Sequence, residues 1–478
     1  MRKHAILIIL ISVISVVVTQ AAEAAIIHVT TTKDNVPGSL RAAFTTAFTY
    51  NKDNTIIIPA GTYILMGVGE AKEDDNVSGD LDIKTRCMLT IKGKGKFQTF
   101  IHGNNNDRVL HILNGMVSIT DLTIQKGNGL FGGNSKGGDG GGIYNSADLT
   151  LIRCVIRENV AGDGGWWHAN GLSGGNGGGI YNSGTLVIDN CIITNNKAGN
   201  GSESDDIGGN GGSGGGIYNI GILTLNKCII TDNKSGNGAW LDGIGGEGGG
   251  VCNRGTSIIS GCTVSGNESG SGDYYAGRGG GIFNGTDAYL SLANCTVSGN
   301  HTGERDYSAS GGGLYNAGDS RLTGVTIVNN TAGTNSNTYE GYGGGIYNGG
   351  NIILINAIIA YNGVPNIGYG ADCYGTFDWV CYSVIADTRD CALSGYQKAN
   401  ILGQDPLLGP LADNGGPTKT HALLPGSPAI DAGNSSGSYT DQRGYKRPIN
   451  ILSIPNVSDG ADIGAYEYIA PFSTSKSH

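Results

Sequence analysis

The chain has 478 residues, a formal net charge of -10, and 85 glycines. Its acidic balance argues against nucleic acid and anionic membrane surfaces as partners. So much Gly would suggest disorder if it were not placed at a fixed period. That period instead makes one long solenoid of a length that would ordinarily mean two or three domains.

Residues 1–24 read as a secretory signal. Arg2 and Lys3 supply the positive start, 5–18 is an apolar run too short to span a bilayer, and Ala22-Glu23-Ala24 fits a small-residue cleavage site. No later run is long and apolar enough for a membrane helix. Within 25–66, Ser39 can cap a short helix reaching about Tyr50. An apolar strand over 55–58, a Pro59-Ala60-Gly61 turn and a second strand follow. This strand-helix-strand unit is expected to seal the first coil of the solenoid. Apolar runs at 89–91 and 117–124 place further coils within 67–128, in line with the run at 56–58 before them, and Asn114 is expected to continue an Asn column.

Seven repeats fill 129–362. Gly-Gly-Gly-Ile-Tyr-Asn or a close variant starts at Gly140, Gly177, Gly214, Gly248, Gly279, Gly311 and Gly343, at spacings of 37, 37, 34, 31, 32 and 32 residues. The Asn closing each phrase recurs at Asn145, Asn182, Asn219, Asn253, Asn284, Asn316 and Asn348. A second Asn follows 14 residues later in six repeats and two residues late, at Asn300, in the fifth. Between them the apolar residues alternate as in a half-buried strand, for example Leu149 and Leu151. The runs are short, β-branched and broken by Gly, with none of the 3.6-residue periodicity of a helical repeat. Such coils stack into a parallel β-helix, and about ten are expected. The Asn columns read as amide ladders, and Asn suits the left-handed turns of coil corners. Nearly all length variation falls between the second Asn and the next Gly triplet. That stretch is one loop, always on the same corner.

Cys154, Cys191, Cys228, Cys262 and Cys295 form another column, continued by Val325 and Ala357. The replacement says small buried hydrophobe rather than obligatory bridge. Zinc is disfavoured, because no Cys-x-x-Cys pair exists. Cys373, Cys381 and Cys391 lie close together outside the repeats, and one bridge among them is expected in an exported protein.

The Gly38-Ser39-Leu40-Arg41 helix followed by an apolar strand and Gly61-Thr62-Tyr63 resembles exported bacterial right-handed parallel β-helix proteins. The repeat itself does so too, and is loosely similar to those of polymorphic outer-membrane proteins. More specific is the C-terminal run: 413–423, then Pro425-Gly426-Ser427-Pro428-Ala429-Ile430-Asp431-Ala432-Gly433, Asp441-Gln442-Arg443-Gly444 and Asp462-Ile463-Gly464-Ala465-Tyr466-Glu467. It resembles the choice-of-anchor Q region, which in relatives precedes surface-sorting signals. The resemblance implies a right-handed all-β solenoid, a capping region over 363–468, a short tail over 469–478, and a secreted or cell-surface location, outer-membrane or extracellular.

Chemistry is expected on the corner loops. They carry Trp166, Trp167, Trp240, Tyr274, Tyr275, Tyr307, Tyr339 and Tyr342, with acids that include Asp163, Asp205, Asp206, Asp242, Glu247, Asp273, Glu304, Asp306 and Glu340. Aromatic rings can stack on sugars while carboxylates bond hydroxyls or hold Ca²⁺. The competing reading is that the rings pack the loops onto the rod. The leading expectation is a non-catalytic, adhesin-like protein that binds a polysaccharide or a cell-surface protein and requires no cofactor, with Ca²⁺ optional. The alternatives are a glycoside hydrolase on the same face, with Asp205 and Asp206 or Asp273 and Glu304 as its carboxylates, a polysaccharide lyase there, with His168, Arg278 and Arg305 as candidates, and a structural envelope spacer.

Overall fold

The computed structural model describes residues 24–49, 52–67, 76–167, 170–303, 309–333, 340–365 and 368–470. Residues 1–23, on which the expected secretory signal falls, lie outside them, as do His168, Glu304, Arg305, Asp306, Tyr307, Tyr339 and the side chain of Trp167. The chain forms a right-handed parallel β-helix. Each repeat gives two strands to a first sheet, as at Ile143–Asn145 and Asp148–Ile152, and one to a second sheet, as at Val155–Arg157. The register is that of the sequence columns: Ile143 pairs with Ile180, Ile180 with Ile217, and Val155 with Ile192. The second sheet has twelve strands, from Gly61–Ile64 to Ile401–Leu402, which makes a rod about 50 Å long at ~4.8 Å per step. The coils thus outnumber the ten or so expected. They continue past 362 without a Gly triplet to mark them, so the segment beginning at 363 starts with further coils rather than a cap.

Both amide ladders are present. The Nδ2–H of Asn145 donates to Asn182 Oδ1 at 2.7 Å, and the series runs on through Asn316 to Asn348 at 2.8 Å. In the second ladder, Asn267 Nδ2–H donates to Asn300 Oδ1 at 2.9 Å, so the two-residue lag of Asn300 is absorbed upstream, in the turn before Tyr289. Asp372 ends that ladder by accepting from Asn362 at 3.0 Å. Two expectations are corrected. Asn114 stands opposite Lys84, and Ile112 occupies the column position below Asn145. Left-handed backbone falls not on the ladder Asn but on corner residues just before the Cys column, such as Asn190 and Asn356, and just before the second ladder, such as Asn195.

The first Gly of each triplet has φ near +70°, for example Gly177 at 68°, which a side chain would strain. The second admits no Cβ: at Gly178 it would lie 2.3 Å from the Lys197 carbonyl carbon. The interior is filled by Ile, Leu and the five column cysteines, all essentially inaccessible. Cys373 continues the Ile column and is bridged to Cys391 one coil on, with Cα atoms 5.4 Å apart; Cys381 is a buried free thiol.

At the N-terminal end, helix α1 (Leu40–Thr49) buries Leu40, Ala43, Phe44 and Ala47, and Ser39 Oγ accepts the Ala42 N–H at 3.2 Å. Arg41 is buried and donates to Gly79 O and Asp80 O at 2.7 and 2.8 Å. The helix packs against the first strands of the rod, Ala25–His28 and Asn54–Ile57. The C-terminal segment behaves differently. After Leu402 it turns back along the outer face of the second sheet. Thr418 Oγ1 donates to Gly261 O at 3.0 Å, Thr296 Oγ1 to Gln442 Oε1 at 2.7 Å, and Ala465 N to Thr326 Oγ1 at 3.0 Å. Asn356 donates to Asp462 O at 2.8 Å. A second apolar cluster forms there, with Val328 and Ile358 of the sheet packed on Leu423, Ile430 and Ile463. The segment is a flank strap, not an end cap. Within it, Arg443 pairs with Asp441 and Arg447 with Glu467, each at 2.7 Å and almost fully buried. Burial and the neighbouring Glu467 carboxylate push Asp462 up to about 8.

Candidate functional site: the corner wall and the tyrosine column

The variable loops do share one corner, and they are tied to one another along the axis. Trp166 N donates to Gly133 O at 2.9 Å, Gly171 N to Ile207 O at 2.8 Å, Gly208 N to Leu241 O at 2.6 Å and Leu241 N to Asp273 Oδ2 at 3.0 Å. The backbone over Trp166–Trp167 pairs antiparallel with Asn170–Gly171. Five successive loops thereby present Phe131, Trp166, Ile207, Trp240 and Tyr274, exposed by 65, 67, 56, 58 and 43%. At one coil per step this apolar wall is about 20 Å long. A cavity of about 280 Å³ opens between Trp240 and Asp273. Phe131 and Ile207 were missed in the sequence because neither is part of an aromatic pair. Tyr275 is half-buried under Tyr274, ring centroids 4.3 Å apart, and Tyr342 is half-buried as well, so both pack loops rather than extend the wall.

Several loop acids hold backbone in place of a ligand. Asp163 Oδ1 accepts the Asn200 N–H at 2.7 Å, Asn200 Oδ1 accepts Asn237 N–H at 3.1 Å, and Asn237 Oδ1 accepts Ser271 N–H at 3.1 Å. Glu247 sits between Arg254 and Arg278, with burial raising its carboxyl. Asp205, Asp206 and Asp242 are exposed.

Beside the wall, on the outer face of the first sheet, stands a column that sequence reading passed over. The Tyr of each Gly-Gly-Gly-Ile-Tyr-Asn phrase points outward. Tyr144 and Tyr181 stack with centroids 4.7 Å apart, Tyr181 and Tyr218 at 5.4 Å, Tyr315 and Tyr347 at 4.7 Å, and Tyr347 and Tyr374 at 5.4 Å. The signal was the recurrence of Tyr in five of the seven phrases, with Phe283 in a sixth. Stacked rings cover each other's faces and leave edges and hydroxyls outward. Burial raises the hydroxyls of Tyr144, Tyr181, Tyr218 and Tyr315, that of Tyr218 to about 12. Cys252 interrupts the column, and the Arg254 guanidinium lies 5.2 Å over the Phe283 ring there.

A polar constellation marks the N-terminal end of the column. Asp82 Oδ1 is 3.2 Å from His111 Nδ1, Arg108 Nε is 2.7 Å from Asp80 Oδ2, and the Arg108 guanidinium lies 5.6 Å over the Tyr144 ring. Ligand atoms of Asp80, Asp82 and His111 fall within 4.8 Å of one another. Arg108 offsets the charge of one of the two carboxylates in this group. Among the described residues no helix is long and apolar enough to cross a membrane.

No family model matches the chain, and no curated protein matches it. Solved structures do. The pectate lyase Pel9A shares 12% identity over 93% of this chain and 96% of its own, with a TM-score of 0.41. The A-module of the Azotobacter vinelandii mannuronan C-5 epimerase AlgE6 shares 12% over 77% and 96%, with a TM-score of 0.36. ORF18 of Geobacillus virus E2 shares 10% over 79% of this chain and 60% of that chain, with a TM-score of 0.35. These likenesses concern the fold alone.

Proposed function

We propose that this is an exported, non-catalytic β-helix protein of the cell surface or surroundings that binds an extended glycan along its corner wall. The observation that carries the reading is the run of exposed large apolar residues, one per loop across five hydrogen-bonded loops. Contiguous apolar exposure of this kind marks an interaction surface, and aromatic rings with polar groups between them suit sugar rings. The secretory segment and the choice-of-anchor Q resemblance of the flank strap support the surface location. The test is retention of the purified protein on a polysaccharide panel, with and without Ca²⁺. Trp166→Ala and Trp240→Ala should each weaken retention about three- to tenfold. Undiminished retention by the double variant would refute the reading.

A second reading, a lyase or hydrolase, is favoured by one observation. Asp82, His111, Arg108 and Tyr144 bring an acid–base pair, a guanidinium and a phenol together on the same sheet face. New reducing or unsaturated ends in the same panel, abolished by Asp82→Asn, would install it in place of the first.

A further inference from the structure

The residue just before each Gly triplet forms its own column beside the tyrosines. In consecutive coils this column reads Arg278, Ser310, Tyr342 and Tyr369, linked by Gly279 N to Ser310 O, Gly311 N to Tyr342 O and Gly343 N to Tyr369 O at 2.9 to 3.1 Å. Ser310 is the short member between two long ones. The gap above it is a polar cavity of about 210 Å³, lined by Arg278, Ser310, Tyr315, Tyr342, Tyr347 and Tyr374.

We propose that this cavity is a subsite for one acidic sugar unit, a hexuronate, with Arg278 receiving the carboxylate and the tyrosine hydroxyls receiving the ring hydroxyls. Each wall is fixed. Tyr315, Tyr347 and Tyr374 stack on one another at 4.7 and 5.4 Å, so they offer hydroxyl edges and no ring face. Tyr342 forms the opposite side, stacked on Tyr369 at 5.6 Å and set edge-on to Tyr374 at 5.0 Å, with its hydroxyl bonded to Glu340. Arg278 closes the end, its guanidinium 5.2 Å over Tyr315 and 4.0 Å from Glu247. Glu247 is shared with Arg254, so Arg278 is only partly neutralised by it, and the Glu340 carboxylate is engaged by the Tyr342 hydroxyl. A planar guanidinium fork suits a planar monoanionic carboxylate, and a row of phenols, each donor and acceptor, suits vicinal hydroxyls. Tyr315, Tyr347 and Tyr374 present no free ring face to the cavity, in contrast to the aromatic rings of the corner wall.

This inference names one unit of the proposed glycan and rests on that reading, yet the two sites are separable. Saturation-transfer NMR would compare galacturonate and glucuronate with galactose and glucose on the full chain. The uronates should receive saturation several-fold above the neutral sugars. Arg278→Gln should reduce it about tenfold. Tyr347→Phe, which keeps the stack, should reduce it by a smaller factor, and Leu452→Ala, an exposed side chain of the flank strap, should leave it unchanged. Thermal melts of each variant check folding, and Tyr347→Phe keeps the test valid if Arg278→Gln unfolds. Equal saturation of uronate and neutral sugar, or uronate saturation indifferent to both variants, overturns the assignment. Uronate saturation together with no polysaccharide retention supports the subsite and removes the wall. Retention that depends on the tryptophans, without any uronate preference, does the reverse.

Discussion

Replacing Asn233 by Ala tests whether the amide ladder holds the coils in register. Its side chain makes five hydrogen bonds. Oδ1 accepts from Asn196 N and Nδ2 at 3.1 and 2.9 Å, and Nδ2 donates to Ile193 O, Thr231 O and Asn267 Oδ1 at 2.9, 3.0 and 3.0 Å. The residue is 1% exposed, so water cannot replace the lost partners. At about 0.5–1.5 kcal/mol for each bond, the loss is about 3–7 kcal/mol. Urea denaturation followed by far-UV circular dichroism would read the change in midpoint at constant slope. Hydrogen exchange would read the Asn196 amide, which loses its acceptor. Asn195→Gly is the control: that residue is exposed with φ of 54°, and the change should cost under about 0.5 kcal/mol. A cost below about 1 kcal/mol for Asn233→Ala, with Asn196 still protected, would refute the account. The same burial makes the Asn233-Lys234-Ser235 triplet inaccessible to glycosylation once folded.

Arg447→Met would strand Glu467 and should destabilise the flank strap by about 3–5 kcal/mol, read as early proteolytic release of the C-terminal segment from an otherwise intact rod. Asp462 holds its proton far above the ordinary carboxylate range, so its contribution is complete below about pH 4 and is lost as pH rises through about 8; Asp462→Asn should flatten the fall in strap stability across that interval. Cys373→Ser should cost about 3 kcal/mol for a closed loop of 18 residues, visible as a lower melting temperature that reductant no longer shifts.

The columns were legible because every coil repeats the same demand. Asn145 and Cys154 have neighbours of their own kind above and below, so sequence spacing alone gives their contacts. Trp166 and Trp240 were legible as exposed aromatics because Gly-rich loops give them nothing to pack beneath. Other parts depend on contacts that spacing does not encode. Gln442 donates to Thr263 at 3.0 Å across 179 residues, which no local pattern announces. Asp80, Asp82, Arg108 and His111 meet across coils that lack the Gly triplet. The tyrosine column was in plain view, in five of the seven phrases, but a residue repeated beside the invariant Asn reads as part of the ladder. Only the structure separates an inward amide from an outward phenol. Asp163 and Asp273 looked like ligand-binding acids because a loop acid and a backbone-capping acid have the same sequence signature.

The flank strap changes the physics of the rod. A bare solenoid is a nearest-neighbour chain, and each rung feels only the rungs beside it. Here one segment touches Gly261, Thr296, Thr326 and Asn356, which belong to four successive coils. A fluctuation that opens one of these coils must strain the strap's hold on the others. The correlation length of opening is therefore longer over this stretch than over the coils between Val155 and Thr231, which have only their neighbours. Two repeats with nearly the same sequence, one under the strap and one outside it, belong to different cooperative units.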